Sequence, residues 1–121
     1  MINICSDKLL ESKNFYTRLF DLQVEYDSDW FVHLAARDKQ FEIGIIDRTN
    51  PIVPKEFQQN PQGSYLTFVV DNADDVYEIA IRERFDILEE PHNTFYGQRR
   101  LLLKDPNGAL VDVSSPILNF E

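Results

Sequence analysis

The sequence predicts an α+β fold made of two copies of one βαβββ module. Two observations lead there. Apolar residues alternate with a period of two in some segments and recur at helical spacing in two others, and the order of these segments repeats after about 65 residues. Between the copies lies RTNPIVPKEFQQNPQG (48–63), with three prolines. Proline has no backbone donor and breaks both ladders and helices, so this stretch reads as a connector. The expected organisation is one domain with module 1 at 1–47, linker at 48–63 and module 2 at 64–121.

The elements follow in order. INIC (2–5) is a short apolar strand. Ser6 and Asp7 are both able to cap the next helix. KLLESKNFYTRLF then carries Leu9, Ser12, Tyr16 and Leu19 on one stripe, with Phe15 beside it. LQVEYDS (22–28) alternates as a strand. DWFVHLAA (29–36) and FEIGIID (41–47) are two more, joined by the polar turn RDKQ. In the second copy SYLTFVV (64–70) is the opening strand, Asn72 the expected cap, and Ala73, Val76 and Ala80 the inner helical stripe. FDILEE (85–90) is a short strand that Pro91 is expected to end. GQRRLLLKD and ALVDVSS form a closing hairpin around Pro106, Asn107 and Gly108, residue types suited to a tight turn.

Composition narrows the function. The net charge is −9, and the only adjacent basic pair is Arg99-Arg100. Nucleic acid and anionic membrane are therefore not expected partners, because phosphate binding needs clustered Lys and Arg. The single cysteine, Cys5, allows no internal disulfide and fits a reducing cytoplasm. No apolar run approaches bilayer length, and MINICSDKLL lacks a basic leader followed by an apolar stretch, so a cytoplasmic protein is expected.

Three stretches carry a resemblance: ESKNFYTRLFDL, YLTFVVDNADDVY and KDPNGALVDV. In this order and spacing the chain resembles the vicinal oxygen chelate superfamily, which holds glyoxalase I, the bleomycin-resistance proteins, fosfomycin-resistance enzymes and extradiol dioxygenases. Asp21 stands where that group usually has glycine. The resemblance implies two βαβββ modules whose curled mixed sheets surround a cleft (the glyoxalase/bleomycin-resistance fold), commonly in a homodimer. Metalloenzymes of the group take ligands from the opening and closing strands of both modules. Those slots fall here at Met1 or Asn3, Glu42, Tyr65 and Asp112. Glu42 and Asp112, at matching places in the two halves, are expected to face the cleft.

Neither opening slot holds histidine, and tyrosine, with a pKa of about 10, is a reluctant ligand. No metal or other cofactor is expected. Two carboxylates in a dry cavity need a proton or a cationic partner, for which Arg99 or Arg100 is the candidate. Gly44 beside Glu42 leaves room for something to approach the backbone. Aromatic Trp30, Phe31, Tyr65, Phe95 and Tyr96 suit a small-molecule pocket. NTFYGQRR (93–100) is expected to form a mobile lip, and His92 an exposed loop residue. Cys5 lacks a base partner, and glycines 44, 63, 97 and 108 make no phosphate-cradling loop.

The candidate ligand-binding residues are Trp30, His33, Glu42, Tyr65, Tyr96, Arg100 and Asp112. The expected function is metal-free binding of an aromatic or cationic small molecule. The alternative is a glyoxalase-like lyase, isomerase or dioxygenase using a divalent metal on Glu42 and Asp112, which are also the candidate acid–base pair.

Overall fold

The computed structural model describes residues 1–118; residues 119–121, assigned above to module 2, lie outside the described residues. The chain groups into two compact units. Unit 1 is Met1–Gln62 with Pro106–Gly108, and unit 2 is Gly63–Asp105 with the chain from Ala109. Among the described residues no helix is long and apolar enough to cross a membrane.

Unit 1 runs β1 (Ile2–Ser6), α1 (Leu9–Phe20), β2 (Gln23–Asp27), β3 (Phe31–Ala35) and β4 (Glu42–Asp47), then a single 3-10 turn at Lys55–Phe57. Its four strands form a mixed sheet in the order β1-β4-β3-β2, with β1 parallel to β4 and the other pairs antiparallel. Helix α1 lies on β3 and β4. It buries Phe15, Tyr16 and Leu19 on the side where Ile4, Val32, Leu34, Ile43 and Ile45 form the sheet's share of the core. A fully buried ring or branched aliphatic side chain contributes about 1.5–3 kcal/mol each, so this layer holds the unit together.

Unit 2 repeats the plan with β5 (Leu66–Val69), α2 (Ala73–Glu83), β6 (Asp86–Asn93), β7 (Gln98–Lys104) and β8 (Leu110–Pro116). The strand order is β5-β8-β7-β6, and β5 is parallel to β8. Small residues Ala73, Val76 and Ala80 bring α2 onto a sheet layer of Phe68, Leu101, Leu103, Val111 and Val113. Each sheet is thus covered by its own helix on one face, and both are open at their edges.

Several local expectations change. Neither Ser6 nor Asp7 caps α1; the N-cap is Lys8 without a side-chain bond. Ser6 is instead fully buried, accepting the Lys8 N–H at 2.8 Å and donating to Asn107 Oδ1 at 2.5 Å. Asn72 does cap α2, accepting the Asp74 N–H at 2.9 Å. Helix α1 ends on Asp21 at φ 53°, a left-handed position that a short polar side chain tolerates better than most. Its carboxylate also grips Arg37 in a two-pronged ion pair at 2.7 and 3.0 Å.

Pro91 does not end its strand. β6 is an edge strand, and Pro91 sits in the irregular stretch between the Glu89 and His92 pairings, where no ladder donor is required. His92 is therefore a strand residue opposite Arg100 rather than a loop residue. Asp29 and Trp30 form the β2–β3 turn rather than the start of a strand, because the Ser28 hydroxyl accepts the Trp30 and Phe31 N–H groups. Within the stretch at 93–100, residues 94–97 form a tight hairpin turn between β6 and β7. Thr94 N–H and its hydroxyl both bond Gln98 O, and Gly97 takes the left-handed φ of 88° that closes it.

Candidate functional site

Strand alternation sends Glu42, Gly44 and Ile46 to the face of the unit 1 sheet away from α1, with Phe31, His33 and Ala35 beside them on β3. Asn3 pairs with Gly44 on the other side. A bulge between Val24 and Tyr26 turns Tyr26 onto this face opposite His33. The result is an aromatic surface. Phe31 centres stand 5.5 Å from Trp30, 6.3 Å from Tyr26 and 6.5 Å from His33. His33 Nε2 lies 2.8 Å from Glu42 Oε1, with the side chains 26% and 42% exposed. An ionised carboxylate only accepts, so Nε2 is assigned the proton and Nδ1 is left as an acceptor.

The space over Gly44 is already taken. A Cβ there would run into the Asn3 carboxamide oxygen and stand 2.9 Å from Phe31 Cε1. Gly44 thus lets Phe31 and Asn3 close over the backbone. The atoms a Cβ would meet are side-chain ends that can move, so Gly44→Ala is expected to lower stability by only about 1 kcal/mol and to shift the near-ultraviolet circular dichroism of Trp30 and Phe31; an unperturbed aromatic spectrum would contradict this packing.

On unit 2, Tyr65, Thr67 and Val69 share the helix-free face with Asp112, Ser114, Arg100 and Leu102. Asp112 is 6% exposed and well partnered. Its Oδ2 accepts Thr67 Oγ1–H at 3.1 Å and its Oδ1 accepts Ser114 Oγ–H at 2.9 Å. Arg100 Nε lies 3.3 Å from the same Oδ1, but its direction is too poor for a hydrogen bond. Burial works to lower the Arg100 pKa. The charge of Asp112, then Tyr96, the link to Asp112, and Tyr65 together outweigh it, so the pKa is raised and the guanidinium stays charged. Arg99 points the other way and clasps Asp74 of α2 through two bonds at 2.8 and 3.1 Å. Arg100 is thus the cationic partner for Asp112.

The register also corrects the expected correspondence between halves. Ile4 and Phe68 are equivalent helix-facing residues of the opening strands; they pair with Ile45 and Val113. One step back, Asn3 pairs with Gly44 and Thr67 with Asp112. The counterpart of Asp112 is therefore Gly44, and that of Glu42 is Leu110.

A model of the Glyoxalase/Bleomycin resistance protein/Dioxygenase superfamily matches residues 1–113. The chain belongs to that superfamily. Solved structures of the superfamily's fold agree. The chain is similar to a glyoxalase/bleomycin resistance protein/dioxygenase family enzyme from Burkholderia phytofirmans PsJN, at 20% identity over 95% of both chains with a TM-score of 0.80. It is also similar to TnmS3, an antibiotic binding protein from Streptomyces sp. CB03234, at 18% identity over 96% of this chain and 92% of that one, TM-score 0.72. A lactoylglutathione lyase from Agrobacterium tumefaciens follows at 19% identity over 95% and 91%, TM-score 0.70. No curated protein matches the chain.

Of the candidate residues, Trp30, His33 and Glu42 come together around Phe31 in unit 1, and Arg100 and Asp112 pair in unit 2. Phe95 is 92% exposed and touches Tyr96 edge-on at 5.1 Å. Among the described residues the Cys5 thiol makes one weak contact, with Phe57 O at 3.9 Å. Thr67 and Ser114 were not anticipated, although alternation along ALVDVSS already puts Ser114 on the side of Asp112. Tyr26 carried no sequence signal, since nothing in QVEYD marks the bulge. Among the described residues no three His, Cys, Asp or Glu side chains stand together as a metal-holding group. A separate groove of about 280 Å³ at the end of α1 has Phe20, Leu22, Ala36 and Phe41 in its lining, and Asp21 and Arg37 there neutralise each other.

Proposed function

We propose that this protein binds a flat aromatic small molecule, preferably cationic, on the helix-free face of unit 1 without the help of a divalent metal. The observation that carries this reading is the half-exposed run of Tyr26, Phe31, Trp30 and His33 beside the Glu42 carboxylate. Aromatic faces attract flat rings and cations, by about 0.5–1.5 kcal/mol per good ring contact beyond area burial. Glu42 adds a negative charge and His33 Nδ1 an acceptor, which together favour a ligand with N–H groups or positive charge. The similarity in fold to an antibiotic binding protein supports a binding role.

Reading Glu42 and Asp112 as metal ligands fits the chemistry poorly. Both Asp112 oxygens already accept hydroxyl bonds, and a guanidinium stands 3.3 Å from one of them, where it would repel a divalent cation. The counterpart position in unit 1 is Gly44, which has no ligating side chain. The same reading has the protein acting in the cytoplasm as a homodimer, supported by the resemblance to its superfamily and by the single free cysteine, Cys5.

Trp30 is the only tryptophan and lies within the aromatic group, so its fluorescence reports directly. Titration with quinolinium and acridinium dyes is expected to quench it saturably, with neutral analogues weaker by about tenfold. A linear, unsaturating response to every probe would contradict the proposal.

A further inference from the structure

On the helix-free face of unit 2 the described residues leave the bonding capacity of Arg100 largely unspent. Its Nε is buried without a hydrogen-bond acceptor. No hydrogen bond to its terminal nitrogens is present among the described residues, and the side chain is 23% exposed. A guanidinium carries five donors in a planar fork. Asp112 neutralises the charge from the Nε side, but its own oxygens are held by Thr67 and Ser114. The fork is thus charged, positioned and unsaturated.

We infer that Arg100 forms an oxyanion site on unit 2, taking a carboxylate or phosphoryl group of a small molecule on its terminal N–H groups. Planar two-pronged recognition of these anions is what a guanidinium does better than any other side chain. The cross-strand neighbours support it: Ser114 and Val69 lie on the β8 and β5 side and His92 on β6, Glu89 stands 3.9 Å from His92, and Asp112, the acid within ion-pair distance of Arg100 among the described residues, is already engaged. The net charge of −9 opposes anions at long range. Salt screens that effect beyond about 8 Å at physiological ionic strength, whereas the fork acts at contact. This site is independent of the aromatic-face reading and stands if that reading fails.

Acetate and methylphosphonate test it, because neither has a ring for the aromatic face. Titrated into the wild-type chain, at least one is expected to give saturable nuclear magnetic resonance shifts at the Arg100 Nε–H while the Arg99 signal stays still. The stronger of the two tells whether the natural group is a carboxylate or a phosphoryl. Arg100→Lys keeps the charge and loses the fork, and is expected to weaken binding about tenfold. Asp112→Asn removes the competing acid and is expected to tighten it severalfold. Silence at Arg100 with both anions, equal affinity in Arg100→Lys, or no gain in Asp112→Asn would overturn the inference. A failed Trp30 titration with a responsive Arg100 would reject the aromatic-face reading alone.

Discussion

Arg100→Ala is expected to lower stability by about 2–4 kcal/mol, measured by urea unfolding. The reason is the orphan it creates. Asp112 is 6% exposed, and two hydroxyls do not replace a cation beside a buried carboxylate. Loss of one member of a buried pair typically removes 3–5 kcal/mol, and the partial exposure of Arg100 trims that figure here. The double variant Arg100→Met with Asp112→Leu removes both charges and is expected to recover most of the loss, because a well-packed apolar pair is often as stable as a buried ion pair. A double-mutant cycle then gives the coupling. A loss below about 1 kcal/mol in Arg100→Ala would mean that the acid finds solvent or another partner.

Asn107→Ala is the second large effect, expected at about 2–3 kcal/mol. Asn107 is 6% exposed and belongs to unit 1 through its turn. Its Oδ1 accepts the Ser6 hydroxyl at 2.5 Å, and its Nδ2 donates to the Ser12 hydroxyl at 3.1 Å. Both serines are fully buried, so truncation removes the acceptor of Ser6 and the amide donor to Ser12, leaving them their 3.3 Å contact with each other and the Lys8 N–H on Ser6. In the Asn107→Ala background, Ser12→Ala is expected to cost less than in the wild type, since its hydroxyl has already lost that donor. An additive result would show that the three side chains do not act as one network. The same residue explains the turn's sequence. Gly108 takes a φ of 83°, Asp105 accepts the Ala109 N–H at 2.9 Å, and the Asn107 side chain turns to Ser6 and Ser12.

The fold was legible because its signals are local and repeated. Helical stripes such as Ser12-Tyr16-Leu19 and Ala73-Val76-Ala80 are the buried stripes observed, and the element order is duplicated. Caps and ends were half legible. Asn72 caps as expected, but Ser6 is drawn away by Asn107, a partner 101 residues distant that no local pattern reveals. Pro91 was misread for a related reason. Its meaning depends on whether its strand lies at an edge and where the register slips, and both are tertiary facts.

The candidate site follows the same division. Period-two alternation put Glu42 with Gly44 and Asp112 with Ser114 on their faces, and it separated Arg99 from Arg100. It did not set the register between strands, so Glu42 was matched to Asp112 when Gly44 holds that place. Nor did it find Tyr26, which reaches the aromatic face only through the bulge in β2.

The central claim is that the aromatic face of unit 1 holds its ligand by ring contacts and the His33–Glu42 pair, with no metal between protein and ligand. Its most direct measurement is the Trp30 titration with a quinolinium dye on protein stripped with chelator, repeated after adding manganese, iron, nickel or zinc. One saturable isotherm, unchanged by any of the metals, is expected, with a ligand affinity that falls about tenfold in Trp30→Ala read by calorimetry. Binding that appears only after a metal is restored would contradict it.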